Sequence, residues 1–291
     1  MKTFLDYSIQ NIKFGDKSYP KNLSKIKKPP KEIFYRGELS NNILEKTIAI
    51  VGTRQVTNYG KQAIDEFVSA FVSQGVTTIS GFMYGVDTEV HNKTLEYGGR
   101  TISIFGNGLD YVYPPENDKL YLKILENKGI VMSEYEKDMK PQLWTYPARN
   151  RIVSALSTIG VLVIEADIDS GSMITAKIAY EQKKNVWAIP GQITSKSSNG
   201  TNYLIKKGLA KMATSPADIV SLSKQTEEKI QLKLDGLEAE VYAIIENENL
   251  SIDEISMKLG KDIVEISATL TMMAIKGIVN EIGGKYFISK V

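Results

Sequence analysis

Two hydrophobic rhythms alternate along the middle of the chain. Short, nearly continuous apolar runs come first in each unit: Thr47-Ile-Ala-Ile-Val51, Thr77-Thr-Ile-Ser80, Thr101-Ile-Ser-Ile-Phe105, Ile130-Val-Met132, Val161-Leu-Val-Ile164 and Val186-Trp-Ala-Ile189. A run that is apolar at successive positions suits a strand covered on both faces. Between the runs the spacing becomes helical. Ile64, Phe67, Val68, Phe71 and Val72 recur on one face. Asp87 to Tyr97 reads as a helix closed by Gly98-Gly99, and Glu116 to Lys128 as one closed by Gly129. The alternation predicts an α/β fold with a doubly wound, mostly parallel sheet over residues 46–222.

The flanks read differently. Residues 1–45 form a basic, irregular extension that packs on the core, with an extended path over Lys25-Ile-Lys-Lys-Pro-Pro-Lys31 and one short strand at Ile33-Phe-Tyr35. Residues 223–235 are polar and read as a linker. In residues 236–291, Leu237 to Ile245 is a short helix and Ser251-Ile-Asp-Glu254 is a capping box opening a second that Gly260 ends. Asp262 to Lys276 is a third, and Ile278 to Ile288 is a hairpin turning at Gly283-Gly284. Three helices and a hairpin make a small winged-helix domain.

Each core strand runs into a glycine-rich turn, and in a parallel sheet such turns gather along one edge. Gly52-Thr53-Arg54 follows the first strand, where Gly52 lets backbone approach a phosphate and Arg54 can grip it with two parallel bonds; the alternative is a tight turn with a solvated arginine. Ser80-Gly81 follows the second strand and leads to Asp87 and His91, one helical turn apart. They are either an acid–base pair or a structural pair in which Asp87 orients His91 or caps the helix. Gly106-Asn107-Gly108 follows the third. Tyr146-Pro147-Ala148-Arg149-Asn150-Arg151 leads into a helix expected from about Ile152. Arg149 and Arg151 either bind an anion there or are tied to Glu134 and Glu165. Ser170-Gly171-Ser172, with Lys177 further along, opens another helix and offers hydroxyl and backbone donors to phosphate or plain capping. Several such turns in a row suit a chain of phosphates, which points toward nucleic acid.

Composition narrows the chemistry. The 291 residues include no cysteine and a single histidine, His91. Thiol chemistry and disulfides are excluded, zinc would need carboxylates for its other ligands, and a serine triad would have to be built on His91. No metal or cofactor is expected: the Walker lysine spacing and GxGxxG are both missing. The N-terminus lacks a signal-peptide core and no apolar run approaches a membrane span, so a cytoplasmic protein is expected. The net charge is +2, but from Gly236 onward nine acidic and five basic residues give −4, leaving +6 on the rest. A polyanion should prefer the first part of the chain. The acidic tail suits contact with protein better than a second duplex-DNA site.

The ordered motifs resemble the DprA/Smf family of DNA-processing proteins. They include Tyr35-Arg36-Gly37, Val51-Gly-Thr-Arg54, Ser80-Gly81, Gly85-Val-Asp87, Gly106-Asn-Gly-Leu-Asp110, Tyr146-Pro-Ala-Arg-Asn-Arg-Ile152, Ser170-Gly-Ser172 and Ala188-Ile-Pro-Gly191, and the match runs from about Lys17 to Val220. Thr53 stands where the family usually has Ser, and Phe82-Met83-Tyr84 is bulkier than the usual loop. The resemblance implies an extended Rossmann domain that binds single-stranded DNA without cutting it, protects incoming strands in natural transformation and loads the RecA recombinase, as a homodimer. It places the family's DNA-contacting arginine on Arg54, with Arg149, Asn150 and Arg151 beside it. Gly52, Thr53, Ser80, Gly81, Gly106, Asn107, Ser170, Gly171 and Ser172 would serve as donors, and Lys177 as a further cation. Phe82, Tyr84, Tyr111 or Tyr146 would stack bases. The rival reading is a nucleotide-binding Rossmann protein, either a phosphoribohydrolase-like enzyme using Arg151 and Glu165 or a nucleotide sensor. The Pro-Gly-Gly-x-Gly-Thr-x-x-Glu signature of those hydrolases is absent.

Overall fold

In the computed structural model, which describes residues 3–39, 41–220, 234, 236–246 and 248–288, the chain forms two compact units, Met1–Ser223 and Lys224–Val291. All of the linker expected at 223–235 except Leu234 lies outside the described residues. The first unit contains, in order, β1 (Gln10–Lys13), α1 (Lys21–Ser24), β2 (Glu32–Gly37), β3 (Thr47–Val51), α2 (Asn58–Ser73), β4 (Thr77–Ser80), α3 (Val86–Glu96), β5 (Thr101–Ile104), α4 (Asp118–Glu126), β6 (Ile130–Ser133), α5 (Thr145–Leu156), β7 (Gly160–Val163), α6 (Gly171–Glu181), β8 (Val186–Ala188), α7 (Asn199–Lys206) and β9 (Lys211–Met212).

The strands join in one sheet in the order β1-β2-β6-β5-β4-β3-β7-β8-β9. From β6 to β9 all neighbours are parallel; β2 runs antiparallel to both β6 and β1. Every residue of β3 to β8 is buried, as the continuous apolar runs predict. On one face Ile48, Ile50, Leu162 and Ile164 pack under Ile64, Phe67, Val68 and Phe71 of α2. On the other, Ala49, Val51, Ile102 and Ile104 pack with Ile152, Val153 and Leu156 of α5. Phe105, Leu120, Tyr121 and Ile124 make a third cluster, and Phe82 lies inside it.

The order places a switch point between β3 and β7. The chain winds from β3 out to β6, then α5 carries it back to β7 on the other side of β3. A crevice forms beyond the carboxyl ends of strands at such a point.

Two local expectations are corrected. The N-terminal extension is not irregular. It adds two antiparallel strands, with Ile12 paired to Ile33 and both buried. One buried apolar residue in a four-residue strand leaves too little alternation to read. Helix α5 starts at Thr145 rather than near Ile152. Pro147 sits in its first turn, where an N–H has no partner within the helix, so proline is tolerated.

The second unit has helices α8 (Leu237–Ile245), α9 (Ile252–Leu259) and α10 (Ile263–Ile275), then strands β10 (Val279–Ile282) and β11 (Lys285–Ile288). Ser251 and Glu254 form the capping box: the Glu254 N–H donates to Ser251 Oγ at 3.3 Å and the Ser251 N–H to Glu254 Oε2 at 2.7 Å. Gly260 closes α9 at φ +62°. Gly283 and Gly284, at φ +62° and +78°, make the hairpin turn. Leu250 adds a bridge to Tyr286. Val241, Ile255, Ile266, Leu270 and Met273 form this unit's own core.

Candidate nucleic-acid interface

A crevice of about 800 Å³ opens at the carboxyl edge of the sheet, lined from the β3, β4 and β7 turns and from α5. Its first wall is the turn after β3. The Thr53 N–H donates to the Glu165 carbonyl at 2.7 Å, and the Val86 N–H donates to the Thr53 carbonyl at 3.0 Å. A Cβ on Gly52 would lie 3.0 Å from the Glu165 carbonyl oxygen and closer still to the Val86 side chain, so only glycine passes there. The Thr53 hydroxyl accepts from the Gln55 N–H at 3.1 Å, which shapes the turn and leaves Arg54 projecting. Arg54 is exposed and lines the crevice. Its guanidinium has no hydrogen-bond or ion-pair partner among the described residues.

The floor is a buried polar cluster behind Gly81. Ser80 Oγ donates to the Ile50 carbonyl at 2.7 Å and to Asp87 Oδ1 at 3.0 Å, and the Met83 N–H donates to Asp87 Oδ2 at 3.2 Å. Burial pushes the Asp87 carboxyl above its ordinary value, against the opposing pull of the nearby Arg149 charge. Burial likewise pulls the Arg149 guanidinium down. Arg149 Nη1 donates to the Ile104 carbonyl and its Nε to Asn150 Oδ1 at 3.2 Å. His91 is wholly buried. Its Nε2 donates to the Gly81 carbonyl at 2.7 Å, so its Nδ1 accepts from Thr101 Oγ1 at 2.7 Å. Burial pushes this imidazole down to about 4, which keeps it neutral. Asp87 and His91 therefore hold the Gly81 turn from behind separately, without bonding each other, so Asp87 neither orients His91 nor caps the helix.

The far wall is the start of α6. Ser170 Oγ and Ser172 Oγ bond each other, Asn150 Nδ2 donates to the Gly171 carbonyl at 3.3 Å, and the Gly171 Cα faces open space. Ser170, Gly171 and Ser172 of this helix start line the crevice, and the unpaired N–H groups of a helix start favour phosphate.

Glu165 and Arg151 are committed elsewhere. Glu165 is buried and accepts from the Thr57 N–H at 2.9 Å, Thr57 Oγ1 at 2.7 Å and Ser197 Oγ at 3.1 Å. Arg151 makes a fork-to-fork pair with Glu134, 2.6 Å on each arm, and donates Nε to the Lys28 carbonyl at 2.9 Å. The Arg151–Glu165 pair that a hydrolase would use is not assembled.

The sequence matches the family described as DNA recombination-mediator protein A over residues 10–224. The chain belongs to that family. It is 31% identical to the protein Smf of Escherichia coli over 284 residues, covering 92% of this chain and 74% of that one. It is 37% identical to the DNA processing protein DprA of Streptococcus pneumoniae over 206 residues, 71% of each chain. Smf of Synechocystis is 38% identical over 196 residues, and this chain spans about half its length, 49%. The crystal structure of the S. pneumoniae DprA superposes with TM-score 0.68 at 35% identity, covering 77% of this chain and 75% of that one. The Helicobacter pylori DprA, solved for its single-stranded DNA binding mode, superposes with TM-score 0.65 at 30% identity, over 75% of this chain and 95% of that one.

Within this family member, the crevice brings together Gly52, Thr53, Arg54, Gly81, Arg149, Asn150, Ser170, Gly171 and Ser172 of the expected residues. The others lie off its lining. Ser80 is sealed beneath the turn. Asn107 is buried and braces its own loop, its Nδ2 donating to the Tyr111 carbonyl at 2.8 Å. Gly106 packs against the Tyr146 ring, Arg151 points to Glu134, and Lys177 is exposed further along α6. Phe82 is a core residue, 4.7 Å from Phe105 ring to ring, and is not available to stack on a base. Tyr84 and Tyr146 line the crevice, whereas Tyr111 does not. Sequence reasoning passed over Tyr113, whose ring lies 6.2 Å from that of Tyr146, and Leu143, which is 92% exposed on the rim. A signal for the rim existed: Leu143-Trp144 stands as a bare apolar pair at the end of a polar loop. Among the described residues, no helix is long and apolar enough to cross a membrane, and no group of three or more His, Cys, Asp or Glu side chains is placed to hold a metal ion.

Proposed function

We propose that this protein binds single-stranded DNA in the crevice, holds and protects it without cutting it, and passes it to the RecA recombinase during DNA uptake and recombination, acting in the cytoplasm as a homodimer. One observation carries the DNA reading: Arg54 stands exposed, without a partner among the described residues, in a crevice that the start of α6 also lines. An available guanidinium and a helix N-terminus in one crevice together suit phosphate oxygens. The H. pylori relative, whose structure concerns single-stranded DNA binding, supports the same choice of ligand. The RecA step and the dimer come from the family resemblance. A role without catalysis is favoured because the titratable groups a reaction would need are engaged internally: His91 with Gly81, Glu165 with Thr57 and Ser197, Arg151 with Glu134.

Fluorescence anisotropy with a labelled oligothymidine over a salt series tests this. Binding should weaken with salt at a slope of about −0.7 per neutralised phosphate, and Arg54→Ala should weaken binding and flatten the slope. Competition by a mononucleotide to completion would transfer the crevice to a small ligand.

A further inference from the structure

The stretch from Lys13 to Lys31 contains seven lysines and one aspartate. All seven lysines are exposed, and none of their ammonium groups has a hydrogen-bond or ion-pair partner among the described residues. A solvated basic tail would be unremarkable if it were loose. This one is pinned. Leu23 and Pro30 are buried, Tyr19 Oη donates to the Pro30 carbonyl at 2.8 Å, and the Phe14 N–H donates to the Lys31 carbonyl at 2.8 Å. Folding thus gathers seven like charges on one loop against the single countercharge of Asp16, an arrangement that self-repulsion opposes and a polyanion relieves.

The loop also packs on a helix that forms part of the crevice wall. Helix α1 packs on α5, the helix whose Arg149 and Asn150 face the crevice. The next residue, Arg151, donates to the Lys28 carbonyl, so Lys28 sits beside the middle of α5, one residue beyond Asn150 of the crevice lining. Lys25 marks the other end. Lys184 donates to the Ser157 carbonyl at 2.7 Å, where α5 stops, and after burial the charge of Lys25 is what pushes the Lys184 ammonium below its ordinary value. Lys28 and Lys25 therefore lie along the second half of α5, from Arg151 to its end, a path of ~9 Å at 1.5 Å per residue.

We infer that this lysine ridge is a second stretch of the phosphate-binding path, taking up the backbone of a single strand after it leaves the crevice over Asn150 and Gly171. The inference rests on the DNA reading of the crevice and extends it. Recognition is by backbone charge, so no base preference is attached to it.

The test compares wild type, Arg54→Ala and a variant with Lys25, Lys27, Lys28 and Lys31 all changed to Ala, on two labelled oligothymidines. One is short, about six nucleotides, enough to fill a single groove, and one is about thirty. The alanine changes keep the Lys28 carbonyl that Arg151 uses, and a matching Lys→Arg variant controls for folding. The ridge variant should bind the long strand on the order of tenfold more weakly, with a salt slope shallower by about two, and bind the short strand as wild type does. The Lys→Arg variant should keep wild-type affinity for both. Equal affinity and slope on the long strand for wild type and ridge variant would overturn the ridge while leaving the crevice intact. So would an equal loss on short and long strands, or the same loss with duplex DNA of equal length. Failure of the crevice reading itself looks different: wild type then binds neither strand, or Arg54→Ala changes nothing.

Discussion

Asp87 and Arg149 approach each other across the bare α-carbon of Gly81. A Cβ built there would lie 2.6 and 2.7 Å from Arg149 Nη2 and Nη1, and against Asp87 Oδ2. Both charged side chains are buried, so neither can move aside into water. Gly81→Ala should cost about 2 kcal/mol through overpacking, and the crevice floor should shift with it. Urea unfolding measures the cost; a midpoint equal to wild type would show that the two side chains can part.

Arg54 is expected to behave in the opposite way. It is exposed and has no partner to lose among the described residues, so Arg54→Ala should leave the thermal midpoint within about 1 °C, the surface range of roughly 0.5 kcal/mol. Its affinity for oligothymidine should drop about tenfold or more, the loss of a charge-assisted phosphate contact. Anisotropy and a melting curve on the same sample decide it.

Arg151 should separate from Arg54 in the same two assays. Its side chain is 20% exposed and that of Glu134 14%, and the pair is bidentate. Arg151→Ala leaves a carboxylate largely out of water and frees the Lys28 carbonyl, so a loss of about 2–3 kcal/mol of stability is expected. Refolded below its midpoint, the variant should keep more DNA affinity than Arg54→Ala. The reverse ranking would return Arg151 to the DNA site.

His91 makes stability depend on pH. Its folded value of about 4 lies below the 6.5 of a free imidazole, so between these the unfolded chain binds more protons than the folded one. Stability is then fully present above about pH 6.5 and falls as the pH drops toward 4, by on the order of 3 kcal/mol across the window. The raised Asp87 carboxyl acts in the other direction, since it binds its proton more readily when folded. The useful quantity is therefore the difference between wild type and His91→Gln. That difference should shrink steadily from pH 7 to pH 4.5 in denaturant titrations; a constant difference would mean that His91 titrates normally.

The Tyr146 hydroxyl is buried with no hydrogen-bond partner among the described residues. Removing an unsatisfied buried polar atom restores stability rather than spending it, so Tyr146→Phe should raise stability by about 1 kcal/mol. A lower melting temperature would reveal a partner for the hydroxyl.

Much of the fold was legible because its signals are local. A run such as Ile48 to Val51 is apolar at every position, and only a strand covered on both faces uses that pattern. Ser251 with Glu254, and Gly283 with Gly284, specify a helix start and a hairpin turn from neighbouring residues alone. Strands followed by Gly52, Gly81 and, through a short loop, Ser170 necessarily bring these turns to one edge once the sheet is parallel. The family motifs and the arginine at position 54 were equally readable.

What only the tertiary structure decided was the destination of each polar side chain. Arg149 and Arg151 are the same residue type two positions apart, and at about 100° per residue they leave α5 on nearly opposite sides. One reaches the crevice floor, the other Glu134 beyond the end of β6. Starting that helix at Thr145 would have revealed the divergence, but Pro147 disguised the start. Ser80, Asn107 and Phe82 carry the right chemistry for a ligand and turn inward instead, toward Ile50, Tyr111 and Phe105. Ile50 and Phe105 lie on other elements, brought close only by strand order and crossover, while Tyr111 belongs to the same loop as Asn107. Periodicity and turn chemistry are written in adjacent residues. Whether a donor meets a ligand or a neighbour depends on which distant segment packs across from it, and that is settled only when the chain closes on itself.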